Sequence, residues 1–370
     1  MKRLHIFNPE HDLALAANLS NFTSPHAGRQ LRADLGYLPA LWAEEGDYVL
    51  VENSEEAEKA YRRLMHRPFT GFIEKRHLAQ LKAQEVTVCP WGWDLALRSY
   101  LLRNGLPESM VATEQEIAEI RRLSHRREAM TLLEALQRDG TTGMAYMADS
   151  VAAVQSEVQR MGRVVVKAPW SSSGRGIRFV EGTLSPNVAN WIGGVIEKQH
   201  GVMLEPYYNK VKDFGMEFES DGCGRVRYLG LSLFHTQNGA YTGNILASEE
   251  EKKEMISRYL SVDLLDSVQE DICRILGARL ASPSSVTTRP SSSELGRPSL
   301  LRPFDGKYQG PFGIDMMVVA RDDREGFLLH PCVEINLRRT MGHVALSIQR
   351  EGVMMIEYMD NHYKLRIRKR

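Results

Sequence analysis

The chain has 370 residues, 43 % hydrophobic and 25 % charged, an ordinary globular composition at a length that exceeds what one core serves, so two or three lobes are expected. Lys+Arg and Asp+Glu balance at 47 each, so no global field draws the chain to nucleic acid or to an anionic membrane. Nothing approaches the run of about 18 apolar residues that a membrane span needs, the opening MKRLHIFNPEHD is no secretory signal, and Cys89, Cys223, Cys273 and Cys332 lack metal or redox spacing, so the expectation is a cytoplasmic protein with reduced thiols.

Residues 1–110 alternate short apolar strands, LHIF (4–7), DYVLV (47–51), GFI (71–73) and VTVC (86–89), with charged helical stretches such as 54–67, which predicts a parallel sheet faced by helices. The segment FNPEHDLALA (7–16) follows the first strand. At the carboxyl edge of a parallel sheet it would face a substrate cleft, but Asn8-Pro9-Glu10 also reads as a helix start with Asn8 as cap. That reading leaves His11 and Asp12 outside the site. Trp91 and Trp93 read as packing aromatics.

Two helices follow over 113–138, the first opened by a capping box of Thr113 and Glu116, the second capped by Ser124 and ended at Asp139-Gly140. After a helix at 150–160 comes VVVKAPWSSSGRGIRFV (164–180). A lysine at the end of a buried strand is costly unless it meets an anion. The Ser/Gly loop behind it offers backbone N–H groups and hydroxyls to a phosphate. Lys167, Ser171, Ser172, Ser173, Gly174 and Gly176 are the candidates. The run matches neither a Walker A loop nor a dinucleotide fingerprint, and on its own it also fits a glycine-containing hairpin.

Beyond a helix at 186–199 and a strand at 201–207 lie antiparallel strands at 213–220 and 225–236, then helices near 249–259 and 262–280. FHTQNGAYTGN (234–244) reads as a polar hairpin turn or as the lining of an acceptor pocket through His235, Tyr241 or Asn244. Residues 281–303, rich in Ser and Pro, predict a mobile surface loop. In the strands 311–320 and 326–335, Asp315, Glu334 and Asn336 bring hard oxygen donors to one face of an otherwise apolar pair. Magnesium takes such ligands together with substrate phosphates. The alternative is a solvent-facing polar edge, which runs as apolar as FGIDMMVV and FLLHPCVEIN do not favour. A helix starts near 342, and the basic tail KLRIRKR (364–370) reads as a solvated end.

Taken together, residues 113–345 resemble the ATP-grasp superfamily of carboxylate–amine or carboxylate–thiol ligases. LSHRR (123–127) is similar to the family's Ser-x-Lys helix start, with Arg126 in place of lysine. VVVKAPWSSSGRG resembles its strand lysine and phosphate-covering loop, MLEPYYNKVKDF (203–214) its adenine hinge, and GPFGIDMMVV with CVEINLRR its metal strands. The resemblance implies an α/β and α+β multi-lobe chain, the ATP-grasp fold behind an N-terminal parallel-sheet domain. Its divisions would be 1–112, a small lobe at 113–200 and a C-terminal lobe at 201–370. It implies that Arg126 and Lys167 hold the inner phosphates, that Glu205, Pro206 and Tyr207 face adenine, and that Asp213 meets the ribose. Asp315, Glu334 and Asn336 would hold Mg²⁺ (or Mn²⁺), and Arg338 would stabilise charge on the transferring phosphoryl group, with a surface arginine as its plainer reading.

The reaction so implied activates a small-molecule carboxylate as an acyl phosphate for attack by an amine or thiol. A kinase of the same architecture and a nucleotide-binding regulator without turnover are the alternatives. A homodimer is the default expectation.

Overall fold

The computed structural model describes residues 1–171, 176–237, 240–281, 308–323 and 325–369. Ser172, Ser173 and Gly174, and all of the 281–303 segment except Ala281, therefore lie outside the described residues. Among those described, no helix is long and apolar enough to cross a membrane.

The N-terminal lobe runs β1 (Lys2–Ile6), α1 (His11–Ala17), α2 (His26–Leu35), β2 (Tyr48–Leu50), α3 (Ser54–Met65), β3 (Phe72–Ile73), β4 (Val86–Pro90) and α4 (Leu95–Arg103). Its strands form the expected parallel sheet in the order β3-β2-β1-β4. With β1 inside this sheet, the loop that leaves its carboxyl end is presented at one edge. Trp91 and Trp93 are buried, Trp91 edge-on to Phe7 at 4.9 Å.

Helices α5 (Glu114–Leu123) and α6 (Arg126–Ala135) follow. Thr113 and Glu116 form the expected capping box. Ser124 does not cap α6. His125 does, accepting the Arg127 N–H through Nδ1, while the Ser124 hydroxyl turns back to the Ile120 carbonyl. Helix α6 also stops at Ala135, short of Gly140, so Arg126 is its first residue.

The small lobe contains β5 (Tyr146–Ala148), α7 (Val151–Met161), β6 (Arg163–Lys167), β7 (Ile177–Glu181), α8 (Pro186–Gln199) and β8 (Val202–Pro206). The sheet is antiparallel in the order β5-β8-β6-β7, so the strand at 202–206 completes this lobe. Val154, Val158, Val164, Val166, Ile192, Val202 and Leu204 form a core of its own.

The rest comprises β9 (Lys210–Ser220), β10 (Val226–Ser232), β11 (Phe234–Gln237), β12 (Ala240–Leu246), α9 (Glu249–Ser257), α10 (Val262–Leu280), β13 (Gly310–Ala320), β14 (Phe327–Asn336), α11 (Met341–Leu346), β15 (Gly352–Met359) and β16 (His362–Arg368). Two antiparallel sheets result, β10-β9-β13-β14 and β11-β12-β15-β16. The single strand expected over 225–236 breaks at Leu233, and its two parts join different sheets. The basic tail is no solvated end either. Tyr363, Leu365 and Ile367 alternate with charged residues, the period-two pattern of a half-buried strand, and Arg366 and Arg368 pair with Glu357 across the sheet.

Two cores tie the lobes together. Leu4 and Leu101 are continuous with Ile117 and Leu132 of the helical pair and with Phe218 and Phe312 of the β9–β13 sheet. Phe7 and Trp91 pack in one cluster with Leu246, Val344 and Met354. This packing brings the loop after β1 against the end of β14.

Candidate functional site

Strands β13 and β14 set Asp315 directly opposite Glu334 and Gly313 opposite Asn336. Residues paired in this way share a face, so the three polar side chains stand together as their alternation suggests. The Asn336 amide donates to Asp315 Oδ2 at 3.2 Å. Burial pushes the Asp315 carboxyl up to about 7, and the negative charges of Glu334 and Glu217 push it further in the same direction. The face thus carries more negative charge than it neutralises.

Glu217, on β9 opposite Gly313, belongs to the same face. It is buried, and its Oε2 lies 3.0 Å from His343 Nδ1 without a hydrogen bond, because that nitrogen already accepts the Thr340 N–H. A Cβ on Gly342 would stand 1.8 Å from Glu217 Oε1, and one on Gly313 2.7 Å from Oε2. Only glycine at these two positions leaves room for the carboxylate. The sequence reading missed Glu217, which sits inside the apolar run FGMEF; its acid on an apolar strand was the available signal.

On the phosphate side, Arg126 reaches across from the start of α6. Its Nη1 donates to Ser171 Oγ at 2.8 Å and to the Ala168 carbonyl, and its Nη2 pairs with Glu334 Oε1 at 2.8 Å. Its Nε is sealed from solvent without a partner among the described residues. The mouth of the loop is closed where the Ala168 N–H donates to the Gly176 carbonyl at 2.8 Å. A Cβ on Gly176 would fall 2.2 Å from that of Ser171, so glycine is required there.

Lys167 and Glu205 form a separate pair on β6 and β8. Lys167 Nζ lies 2.6 Å from each Glu205 oxygen, and each residue is 6 % exposed. Asp213 stands further along, held by Lys210 at 2.6 Å and by the Thr236 hydroxyl. Pro206 and Tyr207 lie at the rim of the small lobe, with Tyr207 exposed and the Arg163 guanidinium 4.0 Å from its ring. His235 is exposed on a β11–β12 hairpin, whereas the Tyr241 hydroxyl donates inward to Asn244.

The N-terminal lobe contributes more than the sequence indicated. Asn8 does not cap α1; its amide donates to the Gly92 carbonyl at 2.8 Å and to Asp94, and α1 begins at His11 with no side-chain cap. Asp12 receives a two-pronged bond from Arg338, at 2.7 Å on each oxygen, and Arg338 also donates to Asn336 Oδ1 at 3.0 Å. Burial opposes ionisation of Asp12, but the Arg338 guanidinium more than offsets it and holds the carboxyl below its ordinary value. One cavity is lined by His11 and Asp12 from this lobe, Ser124, Trp170 and Ser171 from the helical pair and the loop, and Glu334 and Asn336 from β14. Lys167, Glu205 and Asp213 are not among its lining residues.

Two carboxylates and an amide form a hard oxygen set, and Asp315's excess charge is what a divalent cation would relieve. No group of three or more His, Cys, Asp or Glu among the described residues could hold a metal unaided. As hard oxygen donors, Asp315, Glu334 and Asn336 are of the kind a magnesium ion takes together with phosphate and water.

Without a cation, the sign of Asp315's contribution follows from its raised value. The folded chain holds this proton more tightly than the unfolded chain, so stability should fall as pH rises from about 4 to about 7. Asp315→Asn should flatten that slope and stabilise the cation-free chain on the order of 2 kcal/mol above neutrality, the full shift being discounted for partial exposure. Urea unfolding at about pH 5 and about pH 8 reads both.

No family model and no curated protein sequence matches the chain. Solved structures do. The chain is similar to N5-carboxyaminoimidazole synthetase from Staphylococcus aureus complexed with ADP, at 13 % identity over 98 % of this chain and 84 % of that one, TM-score 0.48. It is similar to biotin carboxylase from Campylobacter jejuni in a β,γ-ATP complex, at 13 % identity over 98 % and 73 %, TM-score 0.47. D-alanyl-alanine synthetase A from Vibrio cholerae follows at 14 % over 68 % and 66 %, TM-score 0.37.

Proposed function

We propose that this chain is an ATP- and Mg²⁺-dependent ligase of the ATP-grasp type that joins a small-molecule carboxylate to an amine. The observation that supports it is the single cavity in which the arginine-bound loop, the acid–amide strand face and the N-terminal loop meet. Such chemistry is mostly positioning and charge neutralisation around a transferring phosphoryl group.

Arg126, anchored on Ser171 and Glu334, holds the phosphate chain near the loop, and Lys167 would supply a second cation from β6 by exchanging Glu205 for phosphate. Asp315, Glu334 and Asn336 would hold Mg²⁺, which when bound would supply positive charge against the outer phosphates. The base and ribose lie along Glu205–Tyr207 and Asp213. Arg338 keeps one N–H beyond its bonds to Asp12, Asn336 and the Arg339 carbonyl, and in this reading that donor serves the transferring phosphoryl group. The carboxylate attacks the terminal phosphorus, ADP leaves, and the amine then displaces phosphate from the acyl carbon.

The reading is tested by phosphate release from MgATP across a panel of amino acids and small carboxylates. A ligase releases free phosphate only when both carboxylate and amine are present. Phosphate retained on a single substrate would identify a kinase instead.

A further inference from the structure

His11 is 1 % exposed and forms a pair that the reaction as described leaves unused. Its Nδ1 lies 3.2 Å from Asp94 Oδ2. Asp94 is itself buried and accepts the Leu97 N–H at 2.8 Å and the Asn8 amide at 3.2 Å. A carboxylate engaged as acceptor on every side fixes the imidazole tautomer: Nδ1 carries the proton, and Nε2 keeps a lone pair. Among the described residues no hydrogen bond engages Nε2, and Nδ1 alone is paired. The ring borders the cavity that holds Ser171, Glu334 and Asn336. Gly92 packs over the Nε2 end of the ring, where a Cβ would stand 2.6 Å from Cδ2 and Nε2, so glycine at this position leaves that nitrogen its room.

We infer that His11 is the proton acceptor for the incoming amine, oriented by Asp94. The inference rests on the ligase reading above. An amine reaches a protein near neutral pH as an ammonium ion. To react it must lose a proton. One proton passes to His11 Nε2, the freed nitrogen lone pair forms the C–N bond, the acyl C–O bond breaks with its electron pair leaving on phosphate, and the second proton that the nitrogen sheds on becoming an amide is taken up by that departing phosphate. His11 touches the amine in this step and is a catalytic residue, whereas Asp94 is a positioning residue. The acceptor class is a primary or secondary amine small enough to enter between α1 and β14.

The test compares the full chain with His11→Gln. Asp94→Asn is the second variant, in case glutamine against Gly92 impairs folding. Each is assayed with MgATP and a mixture of the common amino acids and small carboxylates, with and without hydroxylamine, a nucleophile that is unprotonated near neutral pH and needs no base. Amine-dependent phosphate release should fall at least ~100-fold in both variants, while hydroxamate formation should fall less than ~10-fold because activation of the carboxylate does not use His11. In ¹⁵N-histidine-labelled protein the His11 proton should sit on Nδ1. Equal loss of both activities, loss of neither, or a proton on Nε2 overturns the inference. A parent chain that releases no phosphate with either nucleophile removes the ligase reading and His11's role with it, an outcome distinct from an active parent whose variants show no split.

Discussion

Glu334→Ala should abolish Mg²⁺-dependent phosphate release from ATP, a loss of at least ~1,000-fold, in a chain that still folds. Glu334 stands where the cation side and the phosphate side of the cavity meet, opposite Asp315 and 2.8 Å from Arg126 Nη2. Its loss removes a hard oxygen ligand and releases Arg126 from one of its anchors. The fold should survive because Arg126 keeps Ser171 and the Ala168 carbonyl as acceptors, and because Asp315 loses a like charge that now raises its pKa. Phosphate release and the far-ultraviolet circular dichroism spectrum, taken on the same preparation, check both halves. Full activity in the variant would remove the metal assignment.

Glu205→Ala should cost about 3–5 kcal/mol of stability. Lys167 is nearly inaccessible and finds its counter-charge in the two Glu205 oxygens at 2.6 Å. Truncating the acid strands an ammonium ion inside the small lobe, whose core, mainly valine, offers nothing in exchange. The double replacement Lys167→Met, Glu205→Leu should recover most of the loss in urea unfolding, since a buried ion pair exchanged for apolar groups of similar volume is close to neutral. If the double variant is as unstable as the single one, the loss lies in packing rather than in the stranded charge.

What the sequence made legible depended on how far apart the partners lie. The strands bearing Asp315, Glu334 and Asn336 could be read because an acidic residue repeated on one face of an apolar run has few structural explanations. The lysine on β6 could be read as a buried cation in need of an anion, but not that Glu205, on the neighbouring strand, meets its charge. Asp12 could not. An acid in the first turn of a helix is ordinary, and the residue that gives it meaning, Arg338, lies 326 positions away. His11 and Asn8 were hidden similarly, since both depend on Asp94 and Gly92 across the parallel sheet. The polar cluster Asn8, Glu10, His11 and Asp12 at the carboxyl end of a strand in a parallel sheet was the signal, and a familiar capping pattern outweighed it. The last strand was missed because its basic residues drew attention away from its alternation.

The measurement that bears most directly on the whole reading is thermal unfolding of the full chain with ATP, GTP and a non-hydrolysable ATP analogue, each with and without Mg²⁺. A ligand that binds only the folded state stabilises it by about 2.7 kcal/mol at a hundredfold excess over Kd. The expected result is a rise in Tm with ATP and with its analogue that needs Mg²⁺ and is lost in Glu334→Ala, whose side chain lines the cavity. No rise with any nucleotide would leave the loop, the strand acids and the arginines as packing and surface features, and would contradict the assignment of this cavity to ATP.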